Sequence, residues 1–234
     1  MEKPACSIES APVDTQKVCV SLVPIFNHLP NTDLIRIAAM SKMRSFQRGE
    51  LIHRAGDVSD QLYIVHSGMV KVYRLAENGK LQILRVLQPG DFMGELVVFT
   101  EYTHDSYAEA VGKAEICTIQ RSDLESLLAD HPAISMHLLS EMAQRLRSSE
   151  KQAASIATET VDARIGLYLM ECVEQAGDNA IQLPMSRKDL ASYLGIAPET
   201  LSRRLSDFQA AGWITQSGQR RIHILDLPSL VSLQ

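Results

Sequence analysis

The sequence predicts an α+β chain: a domain of short strands, then a long helix, then a C-terminal helix-turn-helix with a wing. Three observations carry this. Between about Ser45 and Ile119, short β-type runs alternate with turn signals. From Pro132 the apolar period becomes helical, with Met142, Leu146, Ser149, Ala153, Ile156 and Thr160 recurring at alternating spacings of four and three. From Ser186 to Leu205 the chain reads as two short helices bent around Gly195, the second opened by Pro198.

Taken in order, residues 1–20 form a polar arm carrying Cys6 and Cys19. A short helix is expected from Pro30, with Leu34, Ile37 and Ala38 on its apolar face. Strand candidates are Leu51-Ile52, Leu62–Val65, Val70–Tyr73, Ile83–Leu87 and Ile116–Ile119. Between them lie Gly49, Gly56-Asp57, Ser67-Gly68, Asn78-Gly79 and Pro89-Gly90-Asp91. Such regular punctuation suggests a small sandwich or barrel, and Asn78-Gly79 is a strong hairpin turn. This domain is assigned to residues 21–130, the long helix to 131–159 and the helix-turn-helix domain to 160–234.

The seam on the long helix has two readings. It could pack on its own domain, but its length and the small residues at its centre favour a dimer helix. A further helix is expected from Asp162 to Glu174, with Ile165, Leu169, Cys172 and Val173 inward. After the helix-turn-helix, Trp213–Ile224 reads as a hairpin wing whose turn carries Arg220 and Arg221, where a wing meets phosphate.

Composition is that of an ordinary globular protein, 45% hydrophobic and 22% charged, which excludes disordered and repetitive classes. The start lacks the basic-then-apolar order of a signal peptide, and no apolar run approaches the ~20 residues a membrane span needs. A cytoplasmic protein without a membrane partner is expected. The net charge is −5, yet Ser186–Ile224 holds six basic residues against three acidic, so that segment is +3 and the remainder −8. A basic face on an acidic body suits a specific DNA binder. Cys6, Cys19, Cys117 and Cys172 are too few and scattered for a disulfide scaffold and form no Cys-x-x-Cys pair. No metal site is indicated.

The second helix of the pair carries the readable chemistry. Ser186 with Asp189 forms a capping box for the first helix, Pro198 suits the first turn of the second, and Gly212 terminates it. Leu201, Leu205 and Phe208 make a buried stripe, leaving Glu199, Ser202, Arg203 and Asp207 on other faces. In a major groove Arg203 can grip guanine O6 and N7, Glu199 can accept from cytosine N4, and Ser202 can serve several base edges. Ser186, Arg187, Thr200, Arg204, Arg220 and Arg221 are the further expected contacts to double-stranded DNA. The alternative is structural: Glu199 and Arg203 are spaced for a surface ion pair.

Nearly the whole chain resembles the Crp/Fnr family of bacterial transcription regulators. The resemblance rests on the Gly-Asp turns, on Pro89-Gly90-Asp91-Phe92-Met93-Gly94-Glu95-Leu96, on Met142-Ala143-Gln144-Arg145-Leu146, and on the helix-turn-helix with its wing. It implies a β-roll sensor domain like those that bind cyclic nucleotides, a dimerisation helix and a winged helix-turn-helix. It also implies a homodimer on a palindromic operator, with RNA polymerase as a partner. Members that bind cyclic nucleotide follow Gly-Glu-Leu with an Arg-Ser pair for the phosphate. Here Asp105 stands before Ser106, so cyclic AMP is not expected unless a residue such as His104 substitutes.

Within the family, Glu199, Ser202 and Arg203 resemble the Fnr branch, which implies a target resembling TTGAT-N4-ATCAA. Cys117 matches that branch's internal cysteine and Cys19 the last of its N-terminal ones. The three closely spaced N-terminal cysteines of a [4Fe–4S] protein are missing, so that ligand set is incomplete; Asp14 or Glu9 would have to complete it. The pattern is closer to Fnr-like proteins of fermentative bacteria, which implies a response to oxygen or redox state by a dithiol–disulfide switch. Cys19 with Cys117 is the preferred pair, Cys6 with Cys117 the second; Cys172 is read as packing. No cofactor is expected. The competing reading places a small molecule, an iron–sulfur cluster or a haem in or near the β-roll, the haem on His28, His53, His66 or a cysteine. An enzyme is disfavoured, because no His-x-His set, nucleophile triad or phosphate-binding glycine loop is present.

Overall fold

The computed structural model describes residues 20–100 and 102–233. Two compact units are present: Met1–Arg74 with Arg85–Arg145, and Leu75–Leu84 with Leu146–Gln234.

In the first unit α1 (Asn31–Met40) buries Leu34, Ile37 and Ala38 as the spacing predicts. The strands are β1 (Lys42–Phe46), β2 (Leu51–His53), β3 (Val58–Ser59), β4 (Gln61–Ser67), β5 (Val70–Leu75), β6 (Leu81–Leu87), β7 (Phe92–Met93), β8 (Tyr102–Thr103), β9 (Tyr107–Ala110) and β10 (Ala114–Gln120). They form two four-stranded sheets, ordered β1-β10-β4-β7 and β2-β9-β5-β6, with β3 and β8 as a separate pair. All five expected strands are present. Of the others, β1, β3, β8 and β9 lack an apolar run, and β7 is only the pair Phe92-Met93. In β9, for example, Tyr107-Ala108-Glu109-Ala110 is paired on both sides, with β2 and β5, and buries Ala108 and Ala110.

β10 shows why one strand serves two cores. Side chains alternate faces with period two. Cys117 and Ile119 join a cluster with Phe26, Ile37, Leu62 and Phe92, while Ala114 and Ile116 join another with Val65, Val72 and Met93. Each fully buried Leu, Ile or Phe there contributes roughly 1.5–3 kcal/mol of transfer free energy. The Asn78-Gly79 turn is wider than a two-residue hairpin: Ala76 N–H donates to Lys80 O, and Gly79 N–H to Ala76 O.

Helix α2 (Arg121–Asp130) leads into α3 (Pro132–Thr158), the expected long helix, 27 residues long. The division between the units falls within α3. The seam differs from the sequence reading at both ends. Met142 packs against the first unit's core. Thr160 lies off α3 and caps the next helix, accepting from Ala163 N–H. Leu146, Ser149, Ala153 and Ile156 are exposed, and the exposed apolar line continues toward the N-terminus through Ala143, Leu139 and Met136.

The second unit contains α4 (Val161–Ala176), β11 (Ala180–Gln182), α5 (Arg187–Tyr193), α6 (Pro198–Ala210), β12 (Ile214–Ser217), β13 (Arg221–Ile224) and α7 (Leu227–Val231). The strands form one antiparallel sheet, β11-β13-β12. In α4, Ile165, Tyr168 and Leu169 are buried, and Cys172 and Val173 are half-buried.

Candidate nucleic-acid interface

The helix pair is built by three local devices. Ser186 caps α5, its hydroxyl accepting from Asp189 N–H at 3.1 Å and donating to the Asp189 carboxylate at 2.6 Å. Gly195 turns the chain at φ 69°, a left-handed conformation that a side chain would strain. Pro198 opens α6, where a missing N–H costs nothing.

α6 buries Leu201, Leu205 and Phe208 as predicted. Glu199, Ser202 and Arg203 are exposed on one stripe, which continues with exposed Ser206 one turn on. Ser206 was not singled out in the sequence reading, although its spacing from Arg203, Ser202 and Glu199 is the helical i, i+3, i+4, i+7 series. Among the described residues, Glu199 and Arg203 form no ion pair, so the structural alternative for them is not realised. Thr200 is half-buried. Arg204 turns toward the body of the domain, pairing with Asp162 of α4 at 3.1 Å and Asp207 at 3.4 Å, and thereby holds α6 on α4.

The wing lies beside this helix. Gln216 of β12 donates through Nε2 to Leu205 O and through its backbone N–H to Gln209 Oε1, both at 3.1 Å. The turn 218–220 joins β12 to β13. Arg187 donates to its carbonyls, from Nε to Gln219 O at 3.0 Å and from Nη2 to Gly218 O at 3.3 Å. Arg220 is half-buried and Arg221 exposed, and neither has an ion pair among the described residues. The basic groups of Arg203, Arg220 and Arg221 are therefore open to an outside anion.

In the first unit, the charges of the Gly94-Glu95-Leu96 segment and of Asp105 are paired within the chain. Gly94, at φ 85°, approaches so closely that a Cβ would meet Gln61 O at 2.6 Å. It delivers Glu95 into the interior, 9% exposed. Glu95 Oε1 lies 2.7 Å from Arg145 of α3. The same guanidinium sits 4.0 Å over the Phe92 ring and donates to Phe92 O at 3.0 Å. Asp105, where a phosphate-binding arginine would stand, pairs with Arg74.

Next to these, His53 and His104 stack at 3.7 Å, both buried. Burial first, and His104 second, push the His53 imidazole down to about 4. Burial likewise lowers His104. His66 lies 3.9 Å from Glu115, and His28 stacks on His137 at 4.1 Å, so the three histidines named for haem do not share one place. Among the described residues, no three His, Cys, Asp or Glu side chains are grouped to hold a metal ion, and no helix is long and apolar enough to cross a membrane.

Cys117 is fully enclosed, 0% exposed. Cys172 is half-buried against Tyr168, and burial pushes its thiol up, as expected of a packing residue. Cys6 and Cys19 lie outside the described residues.

Comparison with known proteins covers both units. Residues 43–131 match the family model of the cyclic nucleotide-binding domain, and residues 163–233 that of the Crp-like helix-turn-helix domain. Over 208 residues the chain is 34% identical to a protein of Lacticaseibacillus casei named as the probable transcriptional regulator flp, covering 89% of this chain and 94% of that one. It is 30% identical to the CRP-like cAMP-activated global transcriptional regulator of Mycobacterium tuberculosis, over 78% of this chain and 85% of that one. The structure of FixK2 from Bradyrhizobium japonicum superposes with a TM-score of 0.74 at 29% identity, covering 83% of this chain and 97% of that one.

Proposed function

The chain belongs to the Crp/Fnr family of transcription regulators, and on that premise we propose that it reads a palindromic operator as a homodimer whose affinity is set by a cysteine redox switch. Its relatives regulate transcription and are not enzymes. The observation that carries the DNA reading is the exposed stripe of Glu199, Ser202, Arg203 and Ser206, with the open arginines of the wing beside it. A target resembling TTGAT-N4-ATCAA suits Glu199, Ser202 and Arg203 as the readers. Two such heads on one palindrome require two copies, and the exposed line from Met136 to Ile156 on α3 is the apolar face for that pairing. RNA polymerase is the partner such a regulator would address at a promoter.

The switch is placed at Cys19 and Cys117. Cys117 has no exposure, so a partner thiol must reach it from within its own cluster rather than from solvent. Val20, the residue after Cys19, packs in that same cluster. Closure would take two protons and two electrons from the thiols; with hydrogen peroxide as oxidant, the oxygens leave as water. Cyclic AMP does not suit the sensor unit. Arg145 already answers Glu95, and Asp105 would repel a cyclic phosphate.

The test is a titration of metal-free, anaerobically purified protein on a TTGAT-N4-ATCAA duplex at fixed salt. It is run reduced and then after mild oxidation with thiols counted. A reversible affinity change with loss of two thiols is expected, abolished by Cys19→Ser or Cys117→Ser and kept by Cys172→Ser. Tight binding indifferent to thiol state would overturn the switch and move the signal to a ligand, cluster or haem at the sensor unit. No preference for the palindrome over a scrambled duplex would overturn the operator assignment.

A further inference from the structure

We infer that Arg187 acts on DNA through the wing: its guanidinium holds the wing turn and so sets where Arg220 and Arg221 meet the duplex. The inference rests on the DNA-binding reading above, and goes beyond it by assigning Arg187 to positioning rather than to phosphate.

Arg187 is the first residue of α5, directly after the Ser186 cap, and is half-buried. Two of its N–H groups go to two successive carbonyls of the turn, Gly218 O and Gln219 O. A planar fork matches that arrangement; a lysine ammonium, a point charge on a flexible stem, does not. The rest of the wing is anchored elsewhere. Gln216 ties β12 to α6, β13 pairs with β11, and Leu183 N–H donates to Arg220 O at 2.8 Å. The tip at Gly218 and Gln219 lies beyond the ladder and is exposed. Exposed turns with few contacts open at little free-energy cost, and ordering a loop on binding subtracts from affinity. Arg187 orders the tip before DNA arrives.

The test compares Arg187→Lys, Arg187→Ala, the double variant Arg220→Ala/Arg221→Ala and its combination with Arg187→Ala on the palindrome and on a scrambled duplex across a salt series. Arg187→Lys keeps the charge and loses the fork. The expected result is that Lys and Ala weaken binding to both duplexes alike, by about tenfold, the size of a net hydrogen bond to a charged group. Removing Arg220 and Arg221 should then cost much less in the Arg187→Ala background than in the wild type, since they are already misplaced. The ratio of palindrome to scrambled affinity should stay as in the wild type, because Arg203 is untouched.

A direct phosphate contact predicts otherwise: Arg187→Lys near wild type, the Ala variant losing about one in salt slope per contact, and additive effects with the wing pair. That pattern would overturn the inference. So would a collapsed affinity ratio, which would mean that Arg187 supports the whole domain. Should the Ala variant not fold, the Lys variant alone decides the matter. If wild-type protein binds neither duplex, the DNA reading itself has failed; wild-type binding with an unaffected Lys variant sinks only the clamp.

Discussion

A buried ion pair in the first unit and an exposed stripe in the second treat charge in opposite ways. In the first unit, Glu95, buried in the interior, is answered by Arg145. On α6 of the second, Glu199 and Arg203 stand at the spacing for an ion pair and leave it unmade, and Arg220 and Arg221 carry no partner among the described residues. A group buried in an interior must be neutralised locally, because an unpaired interior charge costs several kcal/mol. A group on a recognition surface can wait in water at almost no cost until its ligand comes. The contrast is between one buried pair and one exposed stripe, since the second unit also holds paired charges of its own in Arg204 and Asp162.

The largest test of that contrast is Arg145→Ala. It leaves Glu95 buried without its cation, and chemical denaturation should show about 3–5 kcal/mol of lost stability. A loss under ~1 kcal/mol would mean the pair is not the interior lock described. Replacing Arg203 in the same way should leave the denaturation midpoint unmoved.

His53 sharpens the point by pH. Its ordinary value is 6.5 and its folded value about 4, so between these the unfolded chain binds the proton and the folded one does not. Stability therefore falls as pH drops through that window, by on the order of 3 kcal/mol. His53→Phe should flatten the pH dependence of the unfolding free energy by about one proton. An unchanged slope between pH 6.5 and 4 would show that the imidazole is not held neutral.

On the open side, Arg203→Ala should cost about 1–3 kcal/mol of discrimination per half-site while the protein stays folded, read as the ratio of palindrome to scrambled affinity. The smallest effect is expected of Arg74→Ala. Its pair with Asp105 is half-exposed on both sides, and such surface pairs contribute ~0.2–1 kcal/mol. A loss as large as that of Arg145→Ala would erase the distinction between buried and exposed pairs.

Much of this was legible in the residues. The capping box at Ser186 and Asp189, the Gly195 bend and the buried stripe of α6 are local devices, and they stand where spacing put them. Strands of branched apolar residues were legible too. Strands such as β1 and β9 were not, since Lys42–Phe46 and Tyr107–Ala110 become strands through their partners β10, β2 and β5 rather than through their own pattern. Of the seam on α3, Leu146 to Ile156 proved exposed, while Met142 turned into the core. A period of three and four identifies a face, but two adjacent faces of one long helix can share it.

By itself the sequence determined the local geometry: which segments are helical, where the chain turns, and which residue types stand on the exposed stripe of α6. Those choices are made by caps, glycine and proline, and apolar period, all within a few residues of chain. Tertiary structure alone decided the pairings. Arg204 belongs to Asp162 and Arg187 to the wing turn, separated by 42 and 32 residues of chain for the farther partner atoms. Arg145 belongs to Glu95, and Cys117 to a sealed core. Charge and hydrogen bonding act through space, so which arginine stays free for DNA is settled only once the fold has matched the others to their partners.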